Sequence, residues 1–424
     1  MLVEFTVKNY RSIKQEQTLS LVKSKGETRN CFIADVANSI ALTSSAVIYG
    51  ANAAGKSNLV EAMAFMDNMV RKSATSKQKG DKISVTPFLF DENTAQEPSE
   101  FELIFISQGV KYQYGFSLDK EKVIEEWLIA FPKGRPQEWF SRIYNAKTNK
   151  SEYKFGNHLT GQKQVWKNAT RNNALFLSTA IQLNSEQLAP VFDWFQSKLY
   201  LIDSSEITPS FTLEQCDVSN NKKLIIQFLQ SVNIDIHAIE IKKEKFDPAF
   251  LPKEMPSSVK EAYIDNLTGK DVIKEIQSIH KMKNGNLIAL DLEEESDGTQ
   301  KFFALSGLWL NALRNGDILF IDELHNSLHP KLVKHLVELF HNKKTNPNNA
   351  QLIFTTHDTS ILNQDVFARD QIWFCEKDEQ QATLLYPLTD FSPRKGRENL
   401  EQKYMSGRYG AIPFIKEFEL VKQA

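Results

Sequence analysis

Alternation of apolar and polar side chains marks the amino-terminal part of the chain as rich in strands. Residues 2–7 alternate in this way, which is typical of a strand with one exposed face. Strand-like runs at 100–107, at 110–118 and around 127–131 are separated by turn residues such as Gly109. This spacing predicts an antiparallel meander.

The pattern changes in the middle of the chain, where helical periodicity replaces alternation. Apolar positions fit helices at 175–183, 187–195 and 213–231. No heptad pattern persists over several repeats, so a long coiled coil is not predicted. The predicted parts are an amino-terminal part with the meander (1–145), an inserted, mainly helical lobe (146–285) and a carboxyl-terminal part (286–424).

Three short runs are apolar almost throughout and predict buried strands. They end at Tyr49, at Asp322 and at Thr356. Buried runs of this kind are typical of a parallel sheet covered by helices, and ligands bind where the strands of such a sheet end. The predicted fold class is therefore α/β, with its chemistry at the carboxyl ends of these strands.

A glycine-rich loop joins the first of these strands to a helix with apolar positions from Leu59 to Val70. The loop, Gly50-Ala51-Asn52-Ala53-Ala54-Gly55-Lys56-Ser57, matches G-x-x-x-x-G-K-[ST] at every fixed position. Backbone N–H groups and the helix N-terminus of such a loop surround phosphates, the lysine reaches the β- and γ-phosphates, and the hydroxyl ligates Mg²⁺. The predicted nucleotide contacts are Asn52, Ala53, Ala54, Gly55, Lys56, Ser57 and Asn58.

Two carboxylates and a histidine follow the other two buried strands. Asp322 and Glu323 stand at the end of one run, and His357 stands at the end of the other. A carboxylate in this place can ligate Mg²⁺ near Ser57, and its neighbour can act as general base on the attacking water. We therefore predict Asp322 as a metal ligand, Glu323 as the base, and His357 as a contact to the γ-phosphate or the water.

Four further histidines lie close to the beginning of the predicted helix at Pro330 or follow it: His325, His329, His335 and His341. Their number suggests a metal site, but the spacing does not fit one. Pro330 ends any helix that would align His325 with His329, and His335 and His341 lie on different helical faces. The segment is better interpreted as a dimer-contact loop.

Composition and charge are ordinary for a globular protein, with 41% hydrophobic residues, 25% charged residues and a net charge of -2. Any nucleic-acid contact would therefore need a local basic patch. The three cysteines have no C-x-x-C spacing, which predicts neither a disulfide framework nor a zinc site. No run approaches ~18 apolar residues, so we expect a cytoplasmic protein that makes no membrane contact.

Taken together, the motifs resemble the ABC-type ATPase heads of the RecF, SMC and OLD families. Asn9-Tyr10-Arg11-Ser12 is similar to an amino-terminal element of RecF-like proteins, and Ser296-Asp297-Gly298-Thr299-Gln300 resembles the OLD-type form of the ABC signature. The resemblance is greatest to small bacterial ATPases of the RloA or abortive-infection type, which the segment Gly407-Arg408-Tyr409-Gly410 also fits. It covers residues 1–160 and 285–415.

The resemblance implies ATP as the substrate, Mg²⁺ as the cofactor, and a homodimer or larger homo-oligomer with nucleotide at the interface. In such a dimer Ser296 and Gly298 would contact the γ-phosphate bound to the other subunit. Ser296 can also be simply the N-cap of its helix. Arg11 can contact the nucleotide or remain on a solvated turn.

The resemblance further implies a sensor or switch subunit of an anti-phage, abortive-infection defence complex. Because no nuclease constellation follows His357, we expect a separate effector protein, such as a nuclease or toxin. A nucleic acid or phage component could be a further partner. The alternative is a RecF-like DNA-binding ATPase of repair or recombination, which the near-neutral charge disfavours. A transporter ATPase is disfavoured by the signature and the large insertion.

Overall fold

The alternating amino-terminal segment is a strand of a mixed α/β protein, according to a computed structural model that describes residues 1–251, 255–269, 271–396 and 398–413. These residues form two compact units. The first contains Met1–Glu206, Ala312–Asn326 and the described residues from Pro330 onward, and the second contains Ile207–Asn311 and Ser327–His329. No helix within the described ranges is both long and apolar enough to cross a membrane.

The strands in chain order are β1 (Leu2–Lys8), β2 (Gln17–Ser20), β3 (Cys31–Ala34), β4 (Ile40–Thr43), β5 (Ser45–Tyr49), β6 (Ser99–Ser107), β7 (Val110–Leu118), β8 (Val123–Phe131), β9 (Gln137–Asn145), β10 (Lys150–Phe155), β11 (Leu199–Asp203), β12 (Ala238–Lys245), β13 (Asp271–Lys281), β14 (Leu287–Asp291), β15 (Ile318–Asp322), β16 (Gln351–Thr356), β17 (Ile372–Lys377) and β18 (Thr383–Pro387). The α-helices are α1 (Lys56–Lys72), α2 (Lys163–Ala169), α3 (Phe176–Gln182), α4 (Ala189–Ser197), α5 (Ser210–Cys216), α6 (Ser219–Gln230), α7 (Ser257–Leu267), α8 (Asp297–Asn315), α9 (Pro330–His341) and α10 (Leu400–Met405).

The predicted meander is an antiparallel sheet of the first unit, with seven strands in the described part of the chain. Their spatial order is β10-β9-β8-β7-β6-β1-β2. Alternate side chains of β6, namely Phe101, Leu103 and Phe105, are fully buried. They pack in a core that is rich in aromatic rings, where Phe101 lies 5.5 Å from Phe116 between ring centroids. The two-residue period of the sequence thus sets which face of this sheet is buried.

The second sheet of the first unit joins strands that are far apart in the sequence. Its described strands lie in the order β11-β15-β16-β5-β17-β18. The first five are parallel, and only β18 runs antiparallel to its neighbour. All residues of β5 and β16 are buried, as is typical of the largely apolar strands of a parallel sheet. The three strands with predicted chemistry, β15, β16 and β5, are adjacent, so their carboxyl ends lie along one edge of the sheet.

The second unit has its own antiparallel sheet, with described strands in the order β12-β13-β14, and contains α5, α6, α7 and most of α8. Helix α8 approaches α5 closely at Gly307, where a Cβ atom would lie 2.7 Å from the Thr212 Cα atom. The Thr212 hydroxyl also donates to the Ala304 carbonyl over 2.8 Å. Nearby, the rings of Phe228 and Phe302 stack with 5.2 Å between centroids. A small residue at position 307 therefore lets the two helices pack in contact.

The compact units divide the chain at positions that differ from the predicted lobe, 146–285. Strand β10 pairs with β9, and β11 pairs in parallel with β15, so both belong to the first unit. Helix α3 is held there as well, because the backbone N–H groups of Phe176 and Leu177 donate to the Glu126 carboxylate over 2.6 and 3.0 Å. The second unit begins at Ile207, and its sheet makes it less helical than the sequence pattern suggested.

Candidate nucleotide site

The glycine-rich loop leaves β5 and enters α1 exactly where the sequence predicted, and α1 begins at Lys56. Gly55 and Ala53 both have left-handed backbone, with φ of 106° and 63°. A Cβ atom at Gly55 would overlap the Thr383 hydroxyl, so only glycine fits there. Asn52 and Ala53 are exposed and Ala54 is buried. The loop therefore has one solvated face and one face fixed against the protein.

Lys56 is the buried charge of this loop, with 6% of its surface exposed. Its ammonium donates to the carbonyls of Gly50 and Ala51 over 2.7 and 3.0 Å. Burial lowers the pKa of Lys56, and the negative charges of Glu323 and Asp322 oppose that shift. Lys56 forms no ion pair with any residue in the described ranges. Its positive charge thus faces the two predicted carboxylates but is not neutralised by direct contact with either.

A hydroxyl network supports the loop from below. The Thr383 hydroxyl donates to the Ala54 carbonyl over 2.9 Å and lies 2.7 Å from the Ser12 hydroxyl. The Asn58 amide donates to the Ser12 hydroxyl over 2.5 Å. Asn58, a predicted nucleotide contact, therefore serves the loop's support in this structure. Sequence reasoning missed Thr383, because it lies on β18, far along the chain from the loop, and has no local signal.

The other residues of the Asn9-Tyr10-Arg11-Ser12 element have separate tasks. Asn9 is fully buried, donates to the Thr94 carbonyl over 2.8 Å and accepts from the Phe88 N–H over 2.9 Å. Arg11 has φ of 50° and forms an ion pair with Glu61 of α1, and each side chain is 44% exposed. Asn9 is thus structural. Arg11 is a half-exposed cation on the turn after β1, and it pairs with the helix that follows the loop.

Asp322 and Glu323 are held at the end of β15 by one residue of the neighbouring strand. The Thr355 hydroxyl donates to the Asp322 carboxylate and accepts from the Glu323 N–H over 2.8 Å. Glu323 has left-handed backbone, with φ of 51°, and its carbonyl accepts from the Ser204 hydroxyl over 2.6 Å. Left-handed backbone is uncommon in residues other than glycine, so these bonds fix an otherwise unfavourable conformation. The sequence contained a signal for the role of Thr355, because this residue is polar and lies in a mainly apolar run.

His357 follows β16 and meets a second histidine. Its Nε2 atom lies 3.0 Å from Nε2 of His325, and the two rings are inclined by 70°. A hydrogen bond between these atoms requires one ring to donate and the other to accept. His325 was assigned by sequence to a dimer-contact loop, and the fold brings it to the predicted catalytic histidine.

His341 lies apart from that pair. Its Nε2 atom is 2.8 Å from the Ser45 hydroxyl. Burial, assisted by the charge of Arg29, lowers the pKa of His341 to about 3. Within the described ranges no group of three or more histidine, cysteine, aspartate or glutamate side chains could hold a metal ion.

The residues that resemble an ABC signature lie in the second unit, at the beginning of α8. The Ser296 hydroxyl accepts from the Thr299 N–H over 3.2 Å, which is the geometry of an N-cap. The Gln300 amide donates to the carbonyls of Glu293 and Glu295 over 3.1 and 2.8 Å. Ser296 is exposed and Gly298 is partly exposed. The N-cap interpretation of Ser296 therefore holds in this structure.

The two predicted magnesium ligands fit that ion by chemistry. Ser57 supplies an exposed hydroxyl in the first turn of α1, and Asp322 supplies a carboxylate at the same edge of the sheet. Both are oxygen donors, which Mg²⁺ prefers. In phosphate-binding sites one or two such protein groups suffice, because water and phosphate oxygens complete the coordination.

A stretch near the carboxyl terminus that is rich in cations, from Arg394 to Arg408, includes residues that pack against β17. Tyr404 is buried and stacks on Phe374 with 5.4 Å between centroids. Lys395 lies 3.4 Å from the Glu27 carboxylate, and Arg408 lies 3.3 Å from that of Glu398. Arg397, another cation of the stretch, lies outside the described residues.

Comparisons with known proteins agree with this arrangement of motifs. A family model described as "AAA domain, putative AbiEii toxin, Type IV TA system" matches residues 45–363, from β5 to beyond His357. A search of the curated proteins finds no match.

Solved structures to which this chain shows similarity include an SMC head bound to the C-terminal winged-helix domain of ScpA (13% identity, 91% of this chain and 97% of that chain covered, TM-score 0.44). An SMC head domain from Thermotoga maritima gives 11% identity, coverage of 91% and 98%, and a TM-score of 0.41. The recombination mediator RecF in complex with ATPrS gives 14% identity, coverage of 91% and 98%, and a TM-score of 0.40.

Proposed function

The chain belongs to this family of AAA-domain proteins, and from that premise we propose that it hydrolyses ATP with Mg²⁺ at the loop after β5. The observation that carries the proposal is the environment of Lys56. Among the described residues, the partners of this buried ammonium are two neutral carbonyls, and it lies within the electrostatic influence of Glu323 and Asp322, so it is suited to an anionic ligand. A triphosphate replaces those carbonyls with stronger, charge-assisted hydrogen bonds.

Each residue of the carboxyl edge then has a role. Lys56 binds the β- and γ-phosphates, while Ser57 and Asp322 hold Mg²⁺, which neutralises charge on the phosphate oxygens. Glu323 accepts the proton of the water that attacks the γ-phosphorus, as the bond to the ADP oxygen breaks and phosphate leaves. His357 orients that water or the γ-phosphate.

Two residues act through these groups as positioning residues. The Thr355 hydroxyl holds the Asp322 carboxylate and the Glu323 backbone together. His325 fixes the ring of His357 through the contact between their Nε2 atoms. Arg11 is suited to leave Glu61 for the nucleotide, because an ion pair that is 44% exposed on both sides contributes little.

Binding is tested most directly with the Lys56→Ala variant, with Lys72→Ala as the matched control on the same helix. Lys72 is exposed in the last turn of α1, so its loss removes a lysine but not the phosphate contact. We expect ATP affinity, measured by calorimetry, to fall by roughly 100-fold or more for Lys56→Ala and to change little for Lys72→Ala. Unchanged affinity in Lys56→Ala would exclude the loop as the site.

We also propose that two copies of the chain close on a pair of nucleotides, each placing Ser296 and Gly298 at the γ-phosphate of the other. The N-terminus of α8 has the positive dipole end that suits this task. Ser296→Arg should then leave ATP binding to the monomer intact but lower turnover at least ~10-fold, because a bulky cation obstructs closure. Full turnover in that variant, or by a protein that stays monomeric with ATP in ultracentrifugation, contradicts the dimer.

We propose a cellular role in defence, which is supported by the family's description as a putative toxin of a toxin–antitoxin system. ATP-driven closure and hydrolysis-driven opening form a two-state element that can gate a separate effector, such as a nuclease or toxin, in anti-phage defence. A RecF-like ATPase that binds DNA directly in repair is the less favoured alternative. The two roles are distinguished by what co-purifies with the chain: an effector protein supports the defence role, and DNA supports the repair role.

A further inference from the structure

A cavity of the first unit lies at the outer edge of the antiparallel sheet, and no residue of the nucleotide loop lines it. Its volume is about 660 Å³, which is within the range of small-molecule sites. Five chain segments line it: the connector after α1, the turn between β7 and β8, the hairpin of β9 and β10, the end of α2, and residues 170–173. Nothing in the ATPase mechanism uses this cavity.

The lining is strongly basic, although the chain as a whole carries a net charge of -2. Five of its side chains are cationic and one, Glu121, is anionic; the cations are Lys79, Lys122, Lys150, Lys167 and Arg171. Lys79, Lys150 and Lys167 form no ion pair with any residue that the structure describes. Lys122 lies 3.8 Å from Asp119 and 3.9 Å from Glu121, which are long ion-pair distances. Because cations outnumber the single anion in this concave wall, the field in the cavity is positive and favours an anionic occupant.

Tyrosine rings and amides accompany the cations. Lys122 lies 4.7 Å from the ring centroid of Tyr144, and Lys167 lies 5.6 Å from that of Tyr153. Both rings line the cavity, together with the amide side chains of Asn149, Asn168 and Asn172. Lysines that neutralise phosphate, combined with aromatic faces and amides, form the usual surface for a nucleotide, because bases stack on rings and bond to amides.

The wall is also pre-organised. Arg171 donates to the carbonyls of Ser73 and Ala74 over 3.2 and 2.9 Å. Asn173, which is 2% exposed, donates to the carbonyls of Gln78 and Asp81 over 2.7 and 2.9 Å. These bonds fix the connector that carries Lys79, so the occupant does not have to order it. Pre-organisation of this kind lowers the entropic cost of binding.

From this combination we propose that the cavity is a second nucleotide site, distinct from the triphosphate loop. It takes a phosphate-bearing nucleotide, either free or as the accessible unit of a single-stranded nucleic acid. The cations contact the phosphate, and the tyrosine and asparagine side chains contact the base and sugar. A free nucleotide and a nucleic-acid strand present the same phosphate, sugar and base to the cavity. They differ in that further phosphates of the strand can also contribute to binding.

The test measures fluorescence anisotropy of a labelled, 5′-phosphorylated single-stranded octanucleotide at low salt. The cavity variant is Lys150→Glu with Lys167→Glu, and the control is Lys25→Glu with Lys133→Glu, two exposed lysines outside the lining that undergo the same charge change. We expect at least ~10-fold weaker binding for the cavity variant and at most about 2-fold for the control, because binding that depends on phosphate contacts is lost with them. The Lys56→Ala variant should bind the probe as the wild type does.

Competition by AMP, measured in the Lys56→Ala protein, distinguishes the two sources. Displacement of the probe by AMP supports a site for a single nucleotide, and displacement only by unlabelled oligonucleotide supports a nucleic-acid strand. Equal binding by the cavity and control variants overturns the proposal. So does loss of probe binding in Lys56→Ala, or failure of the wild type to bind either the labelled oligonucleotide or AMP. The milder pair Lys150→Gln with Lys167→Gln, together with melting temperatures of all variants, separates lost contacts from misfolding.

Discussion

Two places in the first unit hold charged groups almost entirely out of water, and they differ in how those charges are satisfied. Within the antiparallel sheet, Glu126 and Arg142 stand opposite each other on β8 and β9 with no exposed surface. Glu126 accepts from the Tyr114 hydroxyl over 3.0 Å and from two N–H groups of α3. Arg142 donates to the carbonyls of Ala174 and Arg171 over 2.7 and 3.2 Å. At the parallel sheet's edge, Lys56 is 6% exposed, and its acceptors among the described residues are two neutral carbonyls.

This difference separates a structural charge from a functional one. A buried charge that is fully bonded fixes the fold, because removing one partner leaves the other without compensation. A buried charge with weak, replaceable acceptors costs stability and is retained for what it binds. On this criterion the Glu126 and Arg142 pair holds the sheet to α3, and Lys56 serves a ligand.

The strongest test of the comparison measures stability in both places. Glu126→Ala should lower the free energy of unfolding by about 3–5 kcal/mol, since Arg142 would remain buried without its carboxylate. Lys56→Met should change it by less than about 1 kcal/mol, because the apolar side chain avoids the cost of burying an ammonium. Urea unfolding curves of the two variants and the wild type provide the values. Equal losses in both would remove the distinction.

The next effect concerns chemistry at the functional edge. Glu323→Gln should retain ATP binding but slow hydrolysis by ~100-fold or more, because the amide cannot accept the proton of the attacking water. Phosphate release under saturating ATP measures the rate, and Glu379→Gln, an exposed carboxylate on the turn between β17 and β18, is the control. Near-normal turnover in Glu323→Gln would require a different base.

The smallest effect concerns His341, a buried side chain that is neutral, unlike Lys56 and the pair of Glu126 and Arg142. Its pKa is about 3 in the folded chain and about 6.5 when unfolded, so only the unfolded chain takes up a proton as the pH falls below 6.5. Stability from this group is therefore complete above pH 6.5 and declines toward pH 3. Between pH 7.5 and pH 5 we expect the free energy of unfolding to fall by about 1–2 kcal/mol more in the wild type than in His341→Gln. The exposed His158→Gln should behave as the wild type does.

The family match, to an AAA domain described as a putative AbiEii toxin, confirms the predicted resemblance to AAA ATP-binding proteins of the abortive-infection type. The α/β fold class is confirmed as well. The motifs could be identified from the sequence because each is local. Around Lys56, for example, a strand, a loop and a helix follow one another directly along the chain. The bounds of the inserted lobe, by contrast, depend on pairing between distant segments. Strand β10 and helix α3 fall within the range predicted for that lobe, 146–285, and cross-strand bonds and Glu126 hold them in the first unit.

The sequence by itself determined which strands are buried, where the phosphate loop begins, and which polar residues end the strands at its side. Only the tertiary structure decided that Thr383 supports the loop, that His325 meets His357, and that five segments form a basic cavity. The physical reason is the range of the forces involved. Period and spacing follow from the geometry of one strand or helix, whereas a hydrogen bond between residues hundreds of positions apart exists only after the sheets have assembled.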